Sequence, residues 1–285
     1  MTQPGKYHSI FRSDLFAGQT VLITGGGTGI GRAIAHELAA LGAYVLLAAR
    51  KQERLAETAV EIQAAGGKVA TYLLNIRQEE SVTQLFETIL AAHGPIQALV
   101  NNAGGQFASP ASMITGKGWN AVIETNLSGT FMMCREAFNR VFMAQGGSIV
   151  NIVAEMWRGF PGMAHTGAAR AGVVNLTQTL AVEWAYAGVR VNAVAPGLIA
   201  GHGMSQYPPA VKAMAEQGRQ DTPLKRFGTE SEVAAAVTFL LSPAAAYISG
   251  ETLRVDGASS LWRKTWEIPE HHRGARPFHG WPEIS

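Results

Sequence analysis

Residues 20–41 read TVLITGGGTGIGRAIAHELAAL and contain the pattern that decides the fold. Thr20–Thr24 is rich in β-branched and apolar residues, which is typical of a buried strand. Ile30–Leu41 repeats apolar residues every three or four positions, which predicts an amphipathic helix. The glycine cluster between them, within Thr24–Gly31, predicts a tight turn that joins the strand directly to the helix.

The rest of the chain repeats this alternation of short apolar runs and longer helical periods. Strands are predicted at Thr20–Thr24, Tyr44–Ala48, Lys68–Leu74, Gln97–Asn101, Ser148–Val153, Val189–Val194 and Thr252–Val255. Helices are predicted at Ile30–Leu41, Gln52–Ala65, Glu79–His93, Trp119–Gln145 and Met163–Ala187. Alternation of this kind predicts an α/β fold, a single-domain Rossmann-type doubly wound parallel sheet of about seven strands with helices on both faces.

We expect one domain, residues 18–257, preceded by an N-terminal arm at 1–17 and followed by a tail at 258–285. Residues 200–224 interrupt the alternation with two adjacent prolines and mixed polar residues, which suits a substrate lid. The tail carries Trp262, Trp266 and Trp281. Because three tryptophans are unfavourable in water, we expect the tail to pack onto a neighbouring surface, within its own subunit or, as we favour, at a subunit interface.

Composition excludes several classes of protein. The 285 residues carry a formal net charge of +2 with scattered basic residues, which argues against nucleic-acid binding. Cys134 is the single cysteine, so neither an internal disulfide nor a cysteine-rich metal site is expected. No apolar run reaches the ~18 residues of a membrane span, and the first residues lack the apolar core of a secretory signal. A cytoplasmic protein without a metal site is therefore expected.

The glycine-rich turn predicts a dinucleotide-binding site. Glycines allow a pyrophosphate to approach the backbone, and the N-terminus of the following helix attracts its charge. The residues assigned to this cradle are Gly25, Gly27, Thr28, Gly29, Ile30 and Gly31.

The end of the second predicted strand indicates which dinucleotide binds. Sites for NAD usually place an acidic residue there, but this chain has Ala49 followed by Arg50. A guanidinium can hold a 2′-phosphate through charge-assisted bonds, and Arg32 lies near enough in sequence to add charge. Asn75 and Ile76, after the third strand, are assigned to the adenine. The predicted cofactor is NADP(H).

Further motifs make the chain resemble the short-chain dehydrogenase/reductase superfamily from about Phe16 to Gly257. These motifs are Asn101-Asn102-Ala103-Gly104, Asn126 in ETNLSGTF, Val191-Asn192, Pro196-Gly197-Leu198-Ile199 and Val255-Asp256-Gly257. The resemblance implies cofactor contacts at Asn102, Ala103, Gly104, Pro196, Gly197 and Ile199. It also implies that Asn126 breaks its helix and holds a water, and that the protein is a homotetramer.

Most members of this superfamily carry a Tyr-x-x-x-Lys pair, but this chain has neither residue at the two corresponding positions. The segment AHTGAARAGVVNLT places Thr166 at the tyrosine and Arg170 at the lysine, with Ala154 at the usual serine. A threonine hydroxyl cannot act as a general base near neutral pH, and arginine does not give up its proton. Both still donate hydrogen bonds. Thr166, Arg170 and Asn126 are the predicted catalytic residues, and Arg170 is expected to hold the nicotinamide ribose as well.

This departure resembles the branch of peroxisomal trans-2-enoyl-CoA reductases and 2,4-dienoyl-CoA reductases, as do the segments GGQFASPA and KGWNAVIETNLSGTF. The resemblance implies an NADPH-dependent reductase of 2-enoyl-CoA or 2,4-dienoyl-CoA thioesters, with an acyl-CoA substrate. Phe107 and Trp119 either line the acyl pocket or belong to the core.

Two alternatives remain open at this level. One is an isoprenoid alcohol or aldehyde dehydrogenase of the citronellol or citronellal type. It needs a base for alcohol oxidation, and His165 is the titratable candidate beside Thr166, although a histidine at a helix start is more often a cap or surface group. The other alternative is an NADP-binding protein without catalytic activity.

Overall fold

The computed structural model describes residues 6–205, 207–262, 266–271 and 273–281. The parts of the predicted arm and tail at 1–5, 263–265, 272 and 282–285 lie outside these residues. The strands are β1 (Thr20–Thr24), β2 (Tyr44–Ala49), β3 (Lys68–Leu73), β4 (Ala98–Asn101), β5 (Gly147–Ile152), β6 (Val189–Pro196), β7 (Ile199–Ala200), β8 (Gly228–Thr229) and β9 (Thr252–Val255).

Helices fill the connections between these strands. They are α1 (Gly29–Ala40), α2 (Gln52–Ala64), α3 (Glu79–His93), α4 (Gly116–Ile123), α5 (Gly129–Ala137), α6 (Met143–Gln145), α7 (Ala164–Glu183), α8 (His202–Ser205), α9 (Pro209–Asp221) and α10 (Glu230–Leu241). No helix in the described part of the chain combines the length and apolarity needed to cross a membrane.

Within the described residues, seven strands form one parallel sheet in the order β3-β2-β1-β4-β5-β6-β9. The chain moves outward from β1 to β3, then returns and builds the other half from β4. The predicted α/β doubly wound fold is confirmed. The strand order reverses between β1 and β4, and such a reversal opens a crevice at the carboxyl ends of the two strands.

Apolar residues cover the sheet on both faces, as the near-continuous apolar strands require. On one face α1 packs against α10, with Ile34 and Val237 fully buried. On the other face the core includes Phe86 from α3, Met133 from α5 and Leu180 from α7. The helices of both faces therefore hold the strand ends in place around the crevice.

The predicted helix Trp119–Gln145 differs from the observed structure in two ways. Helical residues begin earlier, at Gly116, because the Thr115 hydroxyl accepts a hydrogen bond from Gly118 N and caps α4. Two π-helical turns, Glu124–Ser128 and Phe138–Phe142, interrupt the α-helical geometry. π-helical turns are frequent at functional sites, and the first of them contains Asn126.

The predicted lid, residues 200–224, contains the helices α8 and α9. The described part of the tail returns to its own domain. Gly280 N donates to Ser231 Oγ at 3.0 Å, and Trp281 packs edge-on against Tyr7. Packing of the tail at a subunit interface stays a prediction.

Candidate active site

A cavity of about 350 Å³ opens at the carboxyl ends of the strands, where the strand order reverses. Its wall combines the glycine-rich turn after β1 with the residues that follow β2, β3 and β4. The predicted cofactor residues among its lining are Gly25, Gly27, Thr28, Arg50, Asn75, Ile76, Asn102, Ala103 and Gly104. The structure therefore brings together residues from four separate parts of the sequence.

Thr24 and Asn102 link the turn after β1 to the end of β4. The Thr24 hydroxyl accepts hydrogen bonds from the backbone N–H groups of Asn102 and Ala103, each at 3.0 Å. The Asn102 amide donates in return to the carbonyl oxygens of Thr24 and Gly25, at 3.0 and 3.1 Å. These reciprocal bonds fix the two strand ends relative to each other.

Gly31, on the first turn of α1, allows this close approach. A Cβ at Gly31 would overlap the Gly25 carbonyl oxygen and the Asn102 amide nitrogen. Any other residue would push α1 away from the turn. The glycine therefore serves the packing of the helix N-terminus against the strand ends, where a pyrophosphate is expected.

Cationic side chains surround the end of this cavity next to β2 and β3. Arg50, Lys51, Arg54 and Arg77 all line it. Arg54 pairs with Glu57 at 3.0 Å, and Arg77 pairs with Glu124. Across residues 6–205, 207–262, 266–271 and 273–281, Arg50 and Lys51 have no acidic partner.

Arg32 does not add charge to this cavity, so that part of the sequence interpretation is wrong. Its Nε donates to Glu61 Oε2 at 2.7 Å, and its guanidinium lies 4.8 Å from the ring centre of Trp281. Glu61 also bonds His36, and these partners hold the pKa of Glu61 at about 2 despite the opposing effect of burial. Arg32 thus connects α1 to α2 and the tail.

Asn126 is fully buried in the first π-helical turn. Its amide donates to Gly105 O at 2.7 Å and to Val122 O at 2.9 Å, and its Oδ1 accepts from Gly105 N at 3.3 Å. The predicted helix break at Asn126 is present. Its effect is to fasten the connection after β4 to α4.

Arg170 lies against the same connection. A Cβ at Gly104 would stand 2.5 Å from Arg170 Nη2 and 2.7 Å from Asn126 Oδ1, so Gly104 leaves room for both side chains. Arg170 Nη1 donates to Ile152 O at 2.7 Å, at the end of β5. The predicted site residues Gly104, Asn126 and Arg170 are therefore neighbours.

Arg170 is an unusual cation because it is almost completely buried. Burial lowers its pKa from 12.5 to about 10, which still leaves the side chain charged at neutral pH. Its Nε has no hydrogen-bond partner within the described residues. A buried donor without a partner destabilises the fold, and such a donor points to a ligand.

Thr166 and His165 lie at the start of α7, and both are fully buried. His165 Nδ1 accepts the backbone N–H of Thr166 at 2.8 Å and lies 3.3 Å from the Thr166 hydroxyl oxygen. His165 therefore caps the first turn of α7. Its ring packs edge-on against Phe107, with 4.4 Å between ring centres.

Phe107 and Trp119 are half exposed, so neither belongs to the core.

The remaining predicted residues lie near the site but outside this cavity. Gly29, Ile30 and Gly31 form the first turn of α1. Pro196 ends β6, where its carbonyl accepts from Glu155 N at 3.1 Å. Gly197 packs against Asp256, and Ile199 packs toward Gly228.

Sequence reasoning missed several residues that line the cavity, namely Lys51, Arg54, Arg77, Thr125 and His202. A signal for two of them was present. Arg54 lies in the first turn of the predicted helix Gln52–Ala65, four positions after Arg50, and Arg77 directly follows Ile76. His202 depends on the lid, whose position no local pattern indicates.

The comparisons with known proteins agree with this geometry. The profile described as "Enoyl-(Acyl carrier protein) reductase" matches residues 25–259. The chain belongs to the short-chain dehydrogenase/reductase family, and it is an oxidoreductase of that family.

Individual relatives resemble it along most of its length. A probable 2,4-dienoyl-CoA reductase of Bacillus subtilis is 42% identical, covering 85% of this chain and 97% of the relative. A peroxisomal 2,4-dienoyl-CoA reductase of Rattus norvegicus is 37% identical, covering 89% and 88%. A solved structure of a citronellol catabolism dehydrogenase of Pseudomonas aeruginosa is 56% identical with a TM-score of 0.81, covering 89% of this chain and all of that one.

Proposed function

We propose that this protein is an NADPH-dependent reductase of carbon–carbon double bonds in 2-enoyl-CoA or 2,4-dienoyl-CoA thioesters. The observation that carries the proposal is the buried group of Thr166, Arg170 and Asn126, in which Thr166 and Arg170 offer hydrogen-bond donors where most of the family is expected to have a tyrosine and a lysine. The likeness to dienoyl-CoA reductases supports the same substrate class.

The cavity fits NADPH better than NAD. Arg50 and Lys51 lack acidic partners among the described residues, and Ala49 leaves no carboxylate to repel a 2′-phosphate. Gly25, Gly27 and Thr28 line the cavity at the N-terminus of α1, where the helix dipole favours a pyrophosphate. When bound, the cofactor supplies a hydride to the substrate.

Donors at the start of α7 suit the reduction of an activated double bond. A hydride that arrives at the β-carbon of an enoyl thioester leaves negative charge on the thioester oxygen. Thr166 donates to that oxygen and thereby stabilises the enolate without exchanging a proton. The charge of Arg170, only a few ångströms from Asn126, lowers the energy of the same anion, and its free Nε is available for the cofactor ribose.

A second candidate is an isoprenoid alcohol or aldehyde dehydrogenase, which the 56% identity to the citronellol catabolism dehydrogenase favours. Alcohol oxidation requires a base that accepts the hydroxyl proton. Thr166 is not such a base, and the Nδ1 lone pair of His165 is occupied by the Thr166 N–H. The side chains of Thr166 and His165 therefore favour the reduction of a double bond over the oxidation of an alcohol.

One assay separates the candidates. Loss of NADPH absorbance is followed with crotonyl-CoA, longer 2-enoyl-CoA and 2,4-dienoyl-CoA, and reduction of NADP is followed with citronellol. We expect turnover with the CoA thioesters and a preference for NADPH over NADH. Turnover with citronellol alone would establish the second candidate, and tight NADPH binding without any turnover would indicate a non-catalytic protein.

A further inference from the structure

Tyr207 lies in the connection between α8 and α9, within the predicted lid, and its hydroxyl contacts two residues outside the lid. Its hydroxyl is hydrogen-bonded by the Gln106 side chain. The same hydroxyl donates to Met163 Sδ at 3.9 Å. Gln106 belongs to the connection after β4, and Met163 immediately precedes α7. The phenol therefore joins three segments that converge at the site.

The position of Met163 places this phenol close to Thr166. Met163 immediately precedes α7 and has non-helical backbone angles, φ −148° and ψ 48°. Its carbonyl oxygen accepts from Gly167 N at 3.0 Å, which fixes Met163 to the first turn of the helix. The Tyr207 hydroxyl therefore contacts the residue that leads into the turn carrying Thr166, three positions before it.

The proposed function leaves one requirement unmet, because the α-carbon of the substrate must receive a proton. Thr166 is too weak an acid to supply it, and Arg170 is bonded to Ile152 O and assigned to the cofactor ribose. His165 accepts the Thr166 N–H at Nδ1, which leaves the proton on Nε2, and the N–H of a neutral imidazole is a weaker acid than the O–H of a phenol. Tyr207 is half-buried, and its hydroxyl contacts Gln106, after β4, and Met163, immediately before α7.

We propose that Tyr207 is the proton donor of the reaction, a catalytic tyrosine supplied by the lid instead of by α7. This inference rests on the proposed reduction of enoyl thioesters. The hydride forms a C–H bond at the β-carbon, and the π pair of the double bond becomes the enolate pair. That pair takes the phenol proton and forms a C–H bond at the α-carbon. The phenolate regains a proton from water, so the step requires no further reactant.

The test compares Tyr207→Phe, which keeps the ring, with Tyr247→Phe, a control on a fully exposed tyrosine far along the sequence from the lid. Both variants and the unmodified enzyme reduce an enoyl-CoA with NADPH in heavy water. The product is analysed by NMR for the position of deuterium at the α-carbon, and NADPH affinity is measured separately by fluorescence.

We expect the unmodified enzyme and Tyr247→Phe to label a single α position. Tyr207→Phe should turn over about a hundredfold more slowly, with label at both α positions because water then protonates either face. Its NADPH affinity should be unchanged. Retention of a single labelled position, a rate within about threefold of the unmodified enzyme, or a loss of NADPH affinity that matches the rate loss would overturn the role of Tyr207. If the unmodified enzyme reduces no enoyl-CoA, the proposed function itself fails, before any variant is compared.

Discussion

The cofactor cavity and the start of α7 meet at Gly104, yet they are built in opposite ways. Next to the cavity, the side chains of Thr24 and Asn102 form four hydrogen bonds of 3.0 to 3.1 Å that join the turn after β1 to the end of β4. At the start of α7, Arg170 Nε and His165 Nε2 are buried without partners among the described residues. The turn after β1 therefore uses these polar side chains within the chain, whereas the start of α7 keeps donors available.

This difference predicts which property a substitution in each region should change. The turn after β1 depends on the shape of the backbone, which glycines and strand ends define, so substitutions there should change cofactor binding. The start of α7 depends on side-chain donors that destabilise the folded protein until a ligand uses them. Substitutions there should separate activity from stability.

The largest effect is expected from Gly31→Ala. The added Cβ overlaps the Gly25 carbonyl and the Asn102 amide, and backbone atoms at that site cannot give way cheaply. We expect NADPH affinity to fall by about a hundredfold or more, as measured by fluorescence titration. Gly116→Ala is the matched control, because nothing lies within 4 Å of the Cβ it introduces. Equal NADPH affinity for the two variants would contradict the close-packing role of Gly31.

The second effect is a change of cofactor preference. Ala49→Asp combined with Arg50→Ala introduces a carboxylate that repels a 2′-phosphate and removes the guanidinium beside it. A lost charge-assisted contact costs about 1.5–3 kcal/mol, so the ratio of NADPH to NADH affinity should fall by roughly ten- to a hundredfold. Arg12→Ala removes the same charge from the N-terminal arm and should leave that ratio unchanged. Equal affinity of the unmodified protein for both cofactors would refute this assignment.

The two regions also differ in how far the sequence predicts them. The strands and the glycine turn follow from local periodicity, and the observed bounds of β1 and β9 equal the predicted ones. Nine of the residues that line the cavity follow as well, because parallel strands place their carboxyl ends together.

Other features depend on tertiary packing that no local pattern contains. Arg32 pairs with Glu61 in α2 and lies beside Trp281 of the tail. Tyr207 reaches Gln106, which is 101 positions away in the sequence. The π-helical turn at Asn126 is coupled to the connection after β4, so helical periodicity alone predicts an uninterrupted helix there.

The third effect tests the start of α7. Thr166→Val removes the hydroxyl at nearly constant volume, and Thr166→Ser keeps a donor. Because one hydrogen bond to the enolate is lost, we expect kcat on an enoyl-CoA to fall by roughly ten- to fiftyfold in the valine variant, with NADPH affinity preserved. Thr179→Val, on an exposed position of the same helix, is the control. An unchanged kcat in Thr166→Val would remove the hydroxyl from the mechanism.

The smallest effect is on the stability of the fold. A substitution of Arg170 is expected to raise the stability although it weakens function. Arg170→Met replaces a buried charge with an apolar side chain of similar length. Removal of such a charge is often stabilising, so the free energy of unfolding without cofactor should rise by about 1 kcal/mol, while NADPH binding weakens. Arg170→Lys keeps the charge and should show no such gain.

The pH dependence of this gain gives a further check on its cause. Burial lowers the pKa of Arg170 to about 10, below its value in the unfolded chain, so the folded protein releases this proton first as the pH rises. The full cost of burying the charge is present at neutral pH and declines above pH 10. The advantage of Arg170→Met in thermal or urea unfolding should therefore be constant near neutral pH and shrink as the pH passes about 10. A methionine variant that is less stable than the unmodified protein at neutral pH would show that the bond from Arg170 to Ile152 O outweighs the cost of burial.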